Sequence, residues 1–88
     1  MVESIEQGIK EIVADIAGME TEEIGLNMNL NKDLDIDSIK AIEITVAIEK
    51  KFKVSVRDED VPKITTIQQA VDLVVRLLAQ KSSENAKN

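Results

Sequence analysis

No cysteine and no histidine occur in the 88 residues. The first absence excludes disulfides, thiolate catalysis and zinc–cysteine sites, and it leaves the redox compartment open. The second excludes a Ser-His-Asp triad, and no lysine sits in an apolar run where it could serve as a base. Phe52 is the single aromatic, so nothing is present on which nucleic-acid bases could stack. Lysine and arginine number 11 against 17 acidic residues, for a net charge of −6, which removes the cations that phosphate binding needs. The apolar runs are short, where a membrane-spanning helix needs about 20 residues. Glu3 and Glu6 interrupt the N-terminus, which lacks the unbroken apolar region of a secretory signal. The expectation is a cytoplasmic chain, or an organellar one after loss of a transit segment, with no nucleic-acid partner and no membrane insertion.

What is present is enough for one small domain. At this length folding buries about two-thirds or less of the unfolded chain's surface, so the core must be compact and stability must come from packing. Ile5, Ile9, Ile12, Val13 and Ile16 recur at three-and-four spacing and predict a first helix from about Glu3 to Ala17, stopped by Gly18. Gly18 to Asp37 neither repeats nor alternates for long and reads as a long loop. Loops beyond about 12–15 residues are uncommon in compact domains and usually functional or disordered. The spacing of Leu26, Leu30 and Leu34 favours a loop packed on the core, with Thr21-Glu22-Glu23 as a single turn within it.

A second helix opens at Asp37 or Ser38 and runs to about Phe52. Val54-Ser55-Val56 alternates like a strand but has no partner strand, so it reads as an extended connector. Arg57 to Val61, with Asp58-Glu59-Asp60, predicts a short third helix ended by Pro62. Thr65 or Thr66 caps a last helix over about Ile67 to Gln80, with Ile67, Ala70, Val71, Val74, Leu77 and Leu78 on one face. The polar stretch Lys81 to Asn88 reads as a frayed tail. The fold class is therefore all-α: a small four-helix bundle of three main helices and one short third helix, with a long loop between the first two. The domain occupies 1–80 and a flexible polar tail 81–88.

The second helix carries two apolar stripes. At about 100° per residue, Ala41, Ile44, Ile48 and Phe52 share one sector, while Ile39, Ile42 and Val46 gather roughly opposite. The first stripe is the core face. The second suits either ordinary packing against the loop or third helix, or a semi-exposed docking strip; Glu43, Glu49 and Lys50 rim it as polar residues rim a transient interface.

At the head of this helix stands Asp33-Leu34-Asp35-Ile36-Asp37-Ser38-Ile39-Lys40-Ala41-Ile42-Glu43. From the residues alone, Ser38 is an N-cap first. Asp33, Asp35 and Asp37 read as a metal cluster, as an acid/base pair or, better, as a negative field that steers a basic partner; the Asp-x-Asp-Gly spacing and distal Glu of a calcium loop are missing. The Asp-Ser-Ile start, the Ala-Ile-Glu-Lys-Lys-Phe end and the Lys63-Ile64-Thr65-Thr66-Ile67 lead into the last helix together resemble the acyl carrier proteins, from about Ile5 to Leu78.

That resemblance implies 4′-phosphopantetheine esterified to Ser38, its arm holding acyl groups as thioesters. It implies a non-catalytic, monomeric carrier whose partners are a phosphopantetheinyl transferase and acyl-transferring, ketosynthase or related enzymes of fatty-acid, polyketide or specialised lipid synthesis. Asp35, Asp37, Ile39, Ile42, Glu43 and Val46 would form the partner face. The chain departs from the family in two places. Asp35 stands where the family usually has Gly, and Lys40, Lys50, Lys51 and Lys53 interrupt a helix that fatty-acid carriers commonly keep acidic, which turns the expectation toward polyketide or specialised lipid pathways. The competing expectation is an unmodified acidic adaptor that binds a partner through Ile39, Ile42 and Val46, with Ser38 only a cap.

Overall fold

Three long helices and two short 3-10 turns are arranged around a core of isoleucine, leucine and valine in the computed structural model, which describes the backbone of residues 2–87 and the side chains of residues 4–81. Helix α1 spans Val2–Ala17, α2 Ser38–Phe52 and α3 Ile67–Lys87; the turns are η1, Thr21–Glu23, and η2, Asp58–Lys63. Among the described residues there is no strand, only an isolated bridge between Asn29 and Thr66. The all-α expectation holds, with the short third helix realised as η2.

Each long helix buries the stripe its sequence marks out. Ile5, Ile9 and Val13 of α1, Ile44 and Ile48 of α2, and Ile67, Ala70, Val71 and Val74 of α3 meet in one cluster. Gly18 ends α1 in the left-handed region (φ +72), and the Met19 N–H returns to the Ala14 carbonyl at 2.9 Å, closing the helix end with a six-residue loop of hydrogen bonding. Helix α2 ends the same way at Lys53 (φ +56), with the Val54 N–H on the Glu49 carbonyl.

The long loop packs on the core as expected: Ile24, Leu30 and Leu34 are buried, and Leu26 and Met28 pack beside them. It also completes α3. The first amides of a helix lack intrahelical acceptors, and here Ile67 and Gln68 donate to the loop carbonyls of Met28 and Leu26. Thr66 Oγ1 accepts from the Gln69 N–H while Gln69 Oε1 accepts from the Thr66 N–H, a reciprocal capping box. The loop is thereby fastened to the head of α3.

Two boundaries differ from expectation. Pro62 does not end the short helix but lies inside η2. The turn there runs from the Val61 carbonyl to the Ile64 N–H, and Pro62 takes its second position, where a fixed φ suits the turn and no N–H is required. Helix α3 continues to Lys87 because no Gly or Pro follows Gln80 to stop it. The side chains of 82–88 lie outside the described residues, and so does the expected fraying of that tail.

Candidate functional site

The head of α2 is built by the loop before it. Asp33 accepts the Asn29 N–H at 2.7 Å, while Asn29 Oδ1 accepts from Asn31 and Lys32, a small self-closed turn. The Ile36 N–H then bonds the Leu30 carbonyl, and the Asn31 amide donates to the Ile36 carbonyl. Leu34 and Ile36 are both buried, and the residue between them, Asp35, is held in the left-handed region at φ +58. The position at which the resemblance implied Gly and the sequence carries Asp is thus the one held at positive φ.

Asp37 caps the helix. Its backbone is extended, its Oδ1 accepts the Lys40 N–H at 2.8 Å, and its carbonyl accepts the first helical bond, from Ala41. Ser38 is therefore the first helical residue and not the cap. It is exposed, and among the described residues its hydroxyl has no hydrogen-bond partner, while the Ser38 and Ile39 amides also remain unpaired. The three aspartates do three different jobs: Asp33 closes the loop, Asp35 turns the chain and Asp37 caps. Among the described residues no group of three or more acidic side chains converges as a metal site would require.

Beside Ser38 an open cleft of about 500 Å³ runs between α2 and η2. Ile36, Ala41 and Ile42 form one wall; Val61, Pro62 and Ile64 form the other, with Asp37 and Asp58 adding charge. Ile36 was missed by sequence reasoning, although the alternation of Leu34 and Ile36 with the three aspartates marks both as inward-facing.

The second stripe of α2 is solvent-facing. Ile39 is 69%, Ile42 57% and Val46 41% exposed, so the strip is not ordinary packing. Glu43 is exposed on the same helix, as are Asp35 and Asp37 ahead of it. Glu49 is drawn off the strip's rim, since its carboxylate accepts the Val56 N–H at 2.9 Å and fixes the connector. The arrangement brings together an unengaged serine hydroxyl, an apolar cleft, an apolar strip and a surrounding set of carboxylates.

The sequence model of the phosphopantetheine attachment site matches residues 7–74, most of the chain. The chain belongs to the acyl and peptidyl carrier protein family. The group such a carrier holds covalently is 4′-phosphopantetheine, on a serine, and its partners include a phosphopantetheinyl transferase and biosynthetic enzymes. The carrier's own residues suit that group. Only Ser38 and Ser55 fall inside the matched span, and of these only Ser38 stands at the start of a long helix, whose unpaired amides and positive dipole end favour a phosphodiester. When attached, the group supplies a thiol that this cysteine-free chain does not have. Among the described residues no helix of the carrier is long and apolar enough to cross a membrane.

One packing feature escaped the sequence reading. Gly8, buried in the middle of α1, lies so close to α2 that a Cβ there would come within 2.8 Å of both Phe52 and Lys51. A glycine inside a helical pattern is the signal that could have found it.

Proposed function

We propose that Ser38 is the attachment point of 4′-phosphopantetheine and that the protein carries acyl intermediates as thioesters to enzymes of fatty-acid, polyketide or specialised lipid synthesis, without catalysing a step itself. The observation that carries this reading is the division of labour at the head of α2: Asp37 performs the capping that would otherwise occupy the serine, and leaves the Ser38 hydroxyl exposed. No histidine exists in the chain, and among the described residues no base is hydrogen-bonded to Ser38, so removal of the hydroxyl proton falls to the transferase. The carrier's contribution is position. Ser38 presents oxygen at the first turn, the Ser38 and Ile39 amides stabilise the phosphodiester, and Asp35, Asp37 and Glu43 surround it with negative field that speeds encounter with a basic partner surface.

The strip of Ile39, Ile42 and Val46 provides the apolar contact of that encounter. It would also serve an unmodified adaptor, but the family match over 7–74 favours the carrier. Lys40, Lys50 and Lys51 break the acidity of α2 and support a specialised pathway over the common fatty-acid one. The test is intact mass after incubation with coenzyme A and a phosphopantetheinyl transferase. The wild type should gain one phosphopantetheine and Ser38→Ala none; equal gain by the variant would move the site elsewhere, with Ser55 the next serine to examine.

A further inference from the structure

The end of α2 remote from Ser38 has the opposite electrical character. Lys53, Arg57 and Lys81 line a cleft of about 320 Å³ there, floored in part by Val54 and Leu77. Lys50 and Lys51 lie one turn back along the helix. We infer that this basic cleft is a second docking point, and that it takes an acidic segment of a partner protein carrying an apolar side chain beside its carboxylates. The inference rests on the carrier reading for the role of that partner, not for the binding itself.

Basic residues at a helix C-terminus commonly do no more than complement the macrodipole, and that accounts for Lys50 and Lys51. It does not account for the cleft. Lys53 follows the helix in a left-handed turn, Arg57 comes from the connector and Lys81 from α3, so three elements place cations around one depression. Lys81 is fixed there, its Nζ donating to the Lys53 carbonyl at 2.8 Å. Arg57 touches Glu59 through Nη1 at 3.3 Å, with both side chains largely exposed. Such exposed pairs contribute little, and the remaining guanidinium donors are left for an incoming carboxylate.

The acidic pole does not cancel this one. Fifteen residues of α2 separate Ser38 from Lys53, about 22 Å at about 1.5 Å per residue. That is well beyond the screening length of about 8 Å at physiological salt. The overall charge decides which anion fits: at −6 the chain repels an extended polyanion such as an acidic membrane or nucleic acid, whereas a short acidic segment entering a concave basic site meets only the local field. The carrier would then be gripped at both ends of α2 by partner charges of opposite sign, a pattern that fixes the direction in which the helix lies on its partner.

Titration of the labelled, unmodified full chain with a short polyglutamate peptide bearing one leucine, followed through amide chemical shifts at low salt, tests this. Shifts should concentrate at Lys53, Ser55, Arg57 and Lys81. The combined Lys53→Gln, Arg57→Gln and Lys81→Gln variant, with its circular dichroism unchanged, should bind about tenfold more weakly. Shifts distributed equally over Lys10, Lys32 and Lys63 would overturn the inference. So would equal occupancy by inorganic phosphate or by phosphatidylglycerol vesicles, which would make the cleft a general anion or lipid site. Loading at Ser38 is measured separately by mass, so failure of the carrier reading and failure of the basic cleft are told apart.

Discussion

Asp35 occupies a backbone conformation that suits glycine. With φ at +58, its Cβ crowds the following carbonyl, which for most L-residues costs about 1–2 kcal/mol and for Asp somewhat less. Buried Leu34 and Ile36 on either side hold it there. Asp35→Gly should therefore raise the unfolding free energy by up to about 0.5 kcal/mol after the extra freedom of the unfolded chain is deducted. The urea midpoint should rise with an unchanged slope. Asp35→Asn, which keeps tolerance for this conformation and removes the charge, separates strain from electrostatics; a destabilised Gly variant would show that the Asp35 carboxylate matters more than its backbone. At this scale the sequence was informative where chemistry is local. The resemblance marked position 35 as one that wants glycine, but the residues alone gave the cap to Ser38, and the structure gives it to Asp37. The choice between these two depends on which side-chain oxygen reaches the Lys40 amide, a matter of geometry that both residue types permit.

Helix α2 is divided lengthwise into a buried face and a free one, and the difference is large enough to measure. Val46 is 41% exposed and Ile48 1%. Val46→Asp should cost under about 1 kcal/mol, as surface changes do, while slowing transfer to partner enzymes that use the strip. Ile48→Asp should unfold the domain, because an unpaired buried charge costs more than a domain of this size has in reserve. Thermal melts of the two variants check the contrast, and a loss of several kcal/mol for Val46→Asp would return the strip to the core. Both stripes were legible because helical periodicity is a property of the sequence itself. The first was legible as the core face as well, and Ile44 and Ile48 are buried there; whether the second faced water was not legible, since that depends on what the loop and η2 leave uncovered. The same reason hid the fastening of the loop to α3: the carbonyls of Leu26 and Met28 meet the amides of Gln68 and Ile67 across some forty residues of chain, and nothing local predicts such a bond. The extra length of α3 was lost to a compositional habit, the polar stretch reading as a frayed tail although it contains no Gly or Pro to break a helix.

Over the whole molecule the charge is uneven rather than merely negative, and partner choice follows from where the signs lie. Asp35 and Asp37 are exposed beside Ser38 and Glu43 is exposed further along α2, and Lys40, Lys50 and Lys51 interrupt that field along the helix. Lys51 has a distant contact with Glu11, 3.9 Å across a solvent-exposed pair, which offsets little of its charge. An enzyme whose basic surface is built for uniformly acidic carriers meets like charge at these lysines, and like-charge contact suppresses wrong partners. Changing Lys40, Lys50 and Lys51 together to Glu should raise the efficiency of such a fatty-acid-synthesis enzyme toward this carrier. The gain should come mainly from faster association and should fade as salt is added, because exposed charges are screened within about 10 Å at 0.1 M ionic strength. The fold should lose some stability, about 0.3–1 kcal/mol for each Glu placed against the helix dipole at positions 50 and 51, but it should not unfold, since the substitutions lie off the buried stripe. Transfer rates measured across a salt series at fixed carrier concentration separate this from a change in docking geometry, which salt would not erase. If the wild type already matches a uniformly acidic carrier, or the triple change leaves low-salt rates where they were, the lysines do not select partners and the case for a specialised pathway loses its main support.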